Sequence, residues 1–278
     1  MEIIVSPFAG FCYGVKRAME MARTAASEKG TVYSLGPLIH NPQAVKELET
    51  LGITVVQELG EVPEGALILF RTHGVEREIE EEARNRNLQI VDTTCPFVKN
   101  AQNKARFLYE EGYTVLIFGE KMHPEVRSLY SYTGRTAHVM SSSAEIGEEK
   151  YKKAGVVSQT TRNIDAFSRF CGEVVGRSME SRIFNTICLA TTERQGDAVR
   201  IAREAGFMIV VGGKNSANTR KLFDIIREIK PAVFIETADE LRVDELAKYD
   251  TIGITAGAST PDTSIREITD RLKKYFGG

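Results

Sequence analysis

The chain has 278 residues, 42% of them apolar, and a formal net charge of −2. That length predicts about two domains' worth of chain, large enough to fold without disulfide staples, and the charge argues against nucleic acid as the main partner. No run of about 18 apolar residues occurs and the start, MEIIVSPFAGFCYG, lacks a basic, long-apolar leader, so the expectation is a soluble, cytoplasmic protein with no membrane span.

Taken in chain order, the elements repeat three times. EIIVSPFAGFC reads as a strand ending in Cys12, CYGVKRAMEMARTAASEKG as a helix and TVYSLG as a second strand; QAVKELETLG is an amphipathic helix and LILFRTHG a later strand. The second round runs LQIVDTTC, CPFVKNAQNKARFLYEEG, YTVLIFG, EVRSLYSYTG and AGVVSQTT, and the third SRIFNTIC, CLATTERQGDAVRIAREAG, FMIVVGG, TRKLFDIIREI and TIGITAGAST. Cys12 to Gly36, Cys95 to Gly119 and Cys188 to Gly212 are each 24 residues. Strands alternating with helices predict α/β units on largely parallel sheets. The expected architecture is three quasi-repeated α/β domains, 1–95, 96–187 and 188–278, in a pseudo-threefold trefoil. The first strand reads as the permuted close of the third unit.

Each repeated cysteine stands at the carboxyl end of a strand, where α/β sheets gather functional groups, and at or near a helix start, where the dipole favours a thiolate. Four cysteines far apart in sequence read as thiols or metal ligands in a reducing compartment. Three converging thiolates would suit zinc with a water or an iron–sulfur cluster short of one protein ligand; the alternative is that all four cysteines are small buried hydrophobes. Cys171, in AFSRFCGEVV beside Phe167, Phe170 and Val174, reads as a packing residue.

Four residues after each repeat glycine stands a polar residue: His40 in GPLIHNP, His123 in GEKMHPE and Ser216 in GGKNSAN. The prolines that follow the two histidines place them at or just before helix N-termini. Ser216 and Asn218 are good caps; Ser259 precedes a proline and His73 ends a strand. As a set these predict an anion pocket, because helix N-termini offer free N–H groups, while neither nucleotide-binding glycine motif is present. Glu125 reads either as a proton donor with a raised pKa or as a first-turn carboxylate on its own helix dipole. His138 has no counterpart in the other units.

Together, FCYGVKRA, GPLIHNP, RTHG, DTTCP, HPEV, SQTT, CLATTERQ, KNSANT and TAGASTPD resemble the LytB/IspH family, the 4-hydroxy-3-methylbut-2-enyl diphosphate reductases of the methylerythritol phosphate route to isoprenoids. The resemblance spans essentially the whole chain. It implies a trefoil of three α/β domains around one [4Fe–4S] cluster, held by Cys12, Cys95 and Cys188 with one iron left open. It implies that His40, His73, Ser216, Asn218 and Ser259 grip the substrate diphosphate, with His123 lining the pocket. It further implies that Glu125 supplies protons, that Thr160 positions the substrate hydroxyl, and that ferredoxin or flavodoxin delivers electrons. Where some members carry a second serine after the one matching Ser216, this chain has Ala217. Two other readings fit the repeat: a nonredox lyase similar to quinolinate synthase, which also carries three cysteines and an open iron, and a nonenzymatic sensor or electron carrier. HPE together with KNSANT favours the reductase.

Overall fold

The computed structural model describes residues 1–39 and 41–277; the expectation placed on His40 lies outside them. In chain order the elements are β1 (Glu2–Val5), α1 (Tyr13–Lys29), β2 (Val32–Leu35), α2 (Pro42–Thr50), β3 (Ile53–Val56), β4 (Leu67–Phe70), α3 (Arg77–Asn85) and β5 (Gln89–Asp92). There follow α4 (Pro96–Glu110), β6 (Thr114–Phe118), α5 (Pro124–Ser131), β7 (His138–Met140), β8 (Tyr151–Ser158), α6 (Ile164–Val175) and β9 (Ser178–Ile183). The last are α7 (Leu189–Glu204), β10 (Phe207–Val211), α8 (Ala217–Arg227), β11 (Ala232–Ile235), β12 (Thr251–Ala256) and α9 (Asp262–Phe276).

The strands make three four-stranded sheets, ordered β1-β12-β10-β11, β3-β2-β4-β5 and β7-β6-β8-β9, and every pair in them is parallel. Read from the strand that leads to a cysteine, the three orders are the same: β1, β5 or β9 at the edge, then β12, β4 or β8, then β10, β2 or β6, then β11, β3 or β7. β1, from the start of the chain, completes the third sheet, pairing Glu2 to Thr251 through Val5 to Ile254.

Sequence explains why these runs sit in the middle. LILF of β4 is buried throughout, and VLIF of β6 and MIVV of β10 likewise; continuous apolar runs suit parallel strands covered on both faces. Ile209, Ile252 and Ile254 pack with Ile265, Ile268 and Leu272 of α9, and Met208 and Val210 with Ala198, Ile201, Leu222 and Ile226 on the other face. The repeat extends to a packing detail. Gly253 in β12 and Gly155 in β8 each stand three residues before the end of their strand. A Cβ at Gly253 would meet Met208 Sδ at 2.3 Å and Ile201 Cγ2 at 2.6 Å, and one at Gly155 would meet Leu108 at 2.8 Å, so glycine lets the helix lie close on the sheet.

By contact the chain divides into two compact units: Met1–Lys16, Ile39–Thr50 and Leu189–Gly278 form one, and Arg17–Leu38 with Leu51–Cys188 the other. The first holds one sheet and the second holds two. α2 belongs to the first, where Gln43 accepts a hydrogen bond from the Ser264 hydroxyl of α9. Among the described residues no helix is long and apolar enough to cross a membrane.

Candidate active site

The three repeated cysteines occupy one main-chain geometry. The Cys95 N–H donates to the Thr72 carbonyl at 3.0 Å, the Cys188 N–H to Thr160 at 2.8 Å and the Cys12 N–H to Ala258 at 3.1 Å. Each acceptor lies two residues past the end of the neighbouring central strand, β4, β8 or β12. Each cysteine then stands immediately before a helix or, for Cys95, caps one: α4 begins at Pro96, and the Lys99 N–H donates to the Cys95 carbonyl. The Lys16 N–H does the same to Cys12.

The segments that carry these cysteines are tied down by side chains. The Thr93 hydroxyl donates to the Phe70 carbonyl, the Thr94 N–H to Asp92 Oδ1 at 3.0 Å, and Arg17 to the Thr94 carbonyl at 3.3 Å. At the equivalent place before Cys188, the Thr186 hydroxyl donates to the Ser158 carbonyl at 2.5 Å and accepts from the Ser158 N–H at 2.8 Å. Before Cys12 the anchor is Arg194 of α7, buried, which donates to the carbonyls of Ala256 at 2.7 Å and Gly10 at 3.0 Å. Gly10 itself has φ +98°, and a Cβ there would stand 2.4 Å from Asp262 Oδ1, so only glycine fits that turn.

Within the larger unit a second group of side chains continues from two of these cysteines. Thr160, whose carbonyl holds Cys188, donates its N–H to Glu125 Oε1 at 2.6 Å and its hydroxyl to Glu125 Oε2 at 2.9 Å. Glu125 lies in the first turn of α5 and is 1% exposed. Burial pushes its carboxyl up to about 7, against the two Thr160 hydrogen bonds that hold it down. His123 caps α5, its Nδ1 accepting from the Glu125 N–H at 3.2 Å. The His123 ring meets the His73 ring edge-on, centroids 5.4 Å apart, and His73 follows Thr72, the residue that holds Cys95. Cys95, His73, His123, Glu125, Thr160 and Cys188 are thus linked by contact or adjacent main chain.

α5 is set in place by buried polar groups. Gln102 of α4 donates to the Ser128 hydroxyl at 2.6 Å, Ser128 donates to the Val75 carbonyl at 2.8 Å, and the Arg77 N–H donates to Ser131 at 2.9 Å. Glu76 pairs with both Arg127 and Arg135 at 2.6 Å. These bonds fix His123 and Glu125 against the strand end that carries His73.

In the smaller unit Ser216 caps α8, accepting from the Thr219 N–H at 3.3 Å and the Thr219 hydroxyl at 3.0 Å. Asn218 follows in the first turn, half-buried. Ser259, also half-buried, follows Ala258, the residue that holds Cys12. It thereby occupies the position that His73 has after Thr72. α2 starts at Pro42, and Asn41, next to His40, accepts from the Ala44 N–H at 3.0 Å. The cap of α2 is therefore one residue later than the spacing of His123 and Ser216 suggests. Cys171 packs from α6 against the core of its sheet, where burial pushes its thiol up to about 11, and His138 stacks edge-on against Tyr151.

Arg194 and Thr72 were missed by the sequence reading. Arg194 had a usable signal: with Ala198, Ile201 and Ala202 it lies on the buried face of α7, and a cation at an apolar helical position needs partners. Thr72 had none, because it acts through its carbonyl.

Cys12, Cys95 and Cys188 are outside any disulfide and half-exposed. Exposed apolar side chains adjoin them, Tyr13 at 65%, Phe97 at 42% and Leu189 at 70%. Thiols at helix starts, where the dipole favours the thiolate, fit ligation of a soft metal group. Among the described residues no three His, Cys, Asp or Glu side chains already stand at metal-binding distance.

The LytB protein family model matches residues 3–273. This chain belongs to the LytB family. It is 45% identical over 276 residues to the 4-hydroxy-3-methylbut-2-enyl diphosphate reductase of Geobacter metallireducens, covering 99% of this chain and 98% of that one. It is 41% identical over 284 residues to the enzyme of that name from Aquifex aeolicus, at 100% and 98% coverage. A solved (E)-4-hydroxy-3-methyl-but-2-enyl diphosphate reductase, described as the terminal enzyme of the non-mevalonate pathway, superposes with a TM-score of 0.78 at 40% identity, covering 99% of this chain and 100% of that one. The E-1-hydroxy-2-methyl-but-2-enyl-4-diphosphate reductase of Plasmodium falciparum superposes with a TM-score of 0.90 at 27% identity, covering 98% and 88%. The LytB likeness accounts for the three-sheet α/β fold and sets aside the lyase and the carrier.

Proposed function

We propose that this chain is a 4-hydroxy-3-methylbut-2-enyl diphosphate reductase, removing the allylic hydroxyl to give isopentenyl and dimethylallyl diphosphate in the methylerythritol phosphate route. The relatives carry the substrate. The observation that supports the chemistry is Glu125, a buried carboxyl titrating near neutrality, joined through Thr160 to the main chain of Cys188. A carboxyl with such a pKa is partly protonated near neutral pH and can both give up and regain a proton.

Cys12, Cys95 and Cys188 would hold one [4Fe–4S] cluster, one from each repeat, which when bound supplies electrons and an iron without a protein ligand to polarise the substrate oxygen. Glu125 protonates the departing oxygen. Thr160 holds the Glu125 carboxyl in one orientation and keeps its hydroxyl beside the substrate alcohol. His73, Ser216, Asn218 and Ser259, with His40 and His123, grip the diphosphate; hydrogen bonds to so charged a group are roughly twice as strong as neutral ones. Anchoring this nonreacting end turns binding energy into alignment of the hydroxyl. The three α/β repeats, with boundaries near 95 and 187, would each contribute one of these cysteines. The protein works in the cytoplasm, with ferredoxin or flavodoxin as the electron source.

The test is anaerobic oxidation of reduced methyl viologen by cluster-loaded protein. Bleaching that depends on 4-hydroxy-3-methylbut-2-enyl diphosphate supports the reading. A cluster-loaded sample that leaves the dye blue with that substrate overturns it.

A further inference from the structure

Thr72 has a second set of contacts besides the carbonyl that receives Cys95. Its N–H donates to the Leu38 carbonyl at 3.3 Å and its hydroxyl to the same oxygen at 3.1 Å. Both residues are buried. A carbonyl oxygen has two lone pairs, and one threonine occupies both. The residue before it, Arg71, lies against Gly36: a Cβ there would stand 3.2 Å from Arg71 Nη1, and the glycine has φ +71°. The Arg-Thr pair that follows β4 therefore clasps Gly36 and Leu38, the start of GPLIHNP, two residues short of His40 in the sequence.

The second repeat holds its corresponding segment in a similar way. Gln159 and Thr160 follow β8 as Arg71 and Thr72 follow β4. Gln159 Oε1 accepts from the Glu120 N–H at 3.0 Å, next to Gly119, the counterpart of Gly36. Thr160 directs the same two donors, N–H and hydroxyl, at Glu125. In both repeats the residues past the strand end grip the segment after the repeat glycine, and in the second that grip holds the proposed proton donor. The third repeat has Gly257 and Ala258 at these places, which carry no hydrogen-bonding side chain. Its sheet has the same strand order, so the side-chain clasp is not a requirement of the fold.

We propose that Thr72, together with Arg71, is a positioning residue for diphosphate binding: its two donors fix the 36–38 segment that leads into His40. The inference rests on the reading above that His40 grips the diphosphate. A binding segment ordered before the ligand arrives does not have to be ordered by it, and affinity rises accordingly. Thr72 then serves the site twice, its carbonyl holding a cysteine segment and its donors a diphosphate segment.

Calorimetric titration of anaerobic, cluster-loaded protein with inorganic diphosphate tests this, together with KM and kcat in the dye-linked assay. T72V keeps the shape of the side chain and removes its donor. It is expected to bind diphosphate about 2–10-fold more weakly, the span of one net hydrogen bond, to raise KM by a similar factor and to keep kcat at saturation. T72S restores the hydroxyl and is expected to return both values to those of the wild type. T72A, which adds no methyl against the Leu38 carbonyl, is expected to show the same loss and decides the matter should the valine variant not load its cluster. A Thr72 that serves only stability would lower the unfolding temperature of T72V and leave diphosphate affinity and KM unchanged, and that result overturns the proposal. A loss confined to kcat overturns it too, by assigning the hydroxyl to the Cys95 segment. Wild-type protein that neither binds diphosphate nor turns over the allylic substrate overturns the reading of the site itself, an outcome distinct from a T72V that matches an active wild type.

Discussion

Thr160 donates twice to Glu125, from its N–H to Oε1 at 2.6 Å and from its hydroxyl to Oε2 at 2.9 Å. Two donors on a carboxylate lower its pKa, yet Glu125 still titrates at about 7 because burial outweighs them. The folded-state value is therefore above that of the unfolded chain, near 4.5. Stability from this group is fully present below about 4.5, falls as pH rises and is lost above about 7, the window set by those two values. A shift of that size corresponds to about 3 kcal/mol. Chemical denaturation of the wild type at pH 5 and at pH 8 is expected to show this loss, and E125Q, which cannot ionise, is expected to flatten it. E125Q should also retain its visible spectrum and substrate binding while losing about 10²-fold or more in turnover, the usual share of a general acid.

Thr160→Val removes one donor and keeps the amide. Glu125 Oε2 then loses a partner that favoured its ionised form, so its pKa rises further. Activity that needs the protonated carboxyl falls as pH rises through the Glu125 value, and in T160V that fall is expected at higher pH. A buried oxygen left without its donor costs about 1–3 kcal/mol, and thermal unfolding should register it. Thr160→Ser restores the hydroxyl and should return the pH profile to that of the wild type. An unchanged profile in T160V would detach Thr160 from the proton step.

The repeat was legible because its period is written in residue types that carry chemistry. Cys12, Cys95 and Cys188 each precede a glycine by the same interval, and the sheet orders agree with that alignment. The permuted first strand was legible for the same reason, since EIIV has the apolar pattern of a strand leading to a cysteine. The bond from each cysteine N–H to the carbonyl past the next strand was not. Thr72 and Thr160 are alike but the third acceptor is Ala258, so no side chain is common to all three, and Ala258 is far from Cys12 along the chain. Their common act is a main-chain one, to which sequence is blind. At α2 the proline pointed to a helix start at or just after His40, and Asn41, with a short amide side chain next to Pro42, accepts from the Ala44 N–H.

The three cysteines in equivalent main-chain positions should behave alike, and Cys171 differently. C12A, C95A and C188A are each expected to lose the brown colour and most of the bound iron and sulfide of anaerobically prepared protein. C171A is expected to keep both, because that thiol packs against a core and burial keeps it protonated. Iron and sulfide analysis with the visible spectrum reads this directly. Full cluster content in any one of the first three variants would remove that cysteine from the ligand set.

Arg194 is a positioning residue for Cys12. Its guanidinium reaches two carbonyls from one buried place: Gly10, two residues before the cysteine, and Ala256, at the end of the strand whose extension receives the Cys12 N–H. Arg194→Ala leaves both carbonyls without that donor and empties the space its stem filled, costing about 2–4 kcal/mol by the scale of buried hydrogen bonds to charged groups. Arg194→Lys keeps the charge but replaces the planar two-nitrogen fork with one ammonium nitrogen, so it separates orientation from charge. The lysine variant is expected to fold and bind iron, with a reduction potential or electron paramagnetic resonance spectrum displaced from the wild type because one nitrogen cannot reproduce the geometry of two at the Gly10 and Ala256 carbonyls. A lysine variant whose potential and spectrum match the wild type would confine Arg194 to stability, and the Cys12 loop would then owe its shape to Gly10 and the strand end alone.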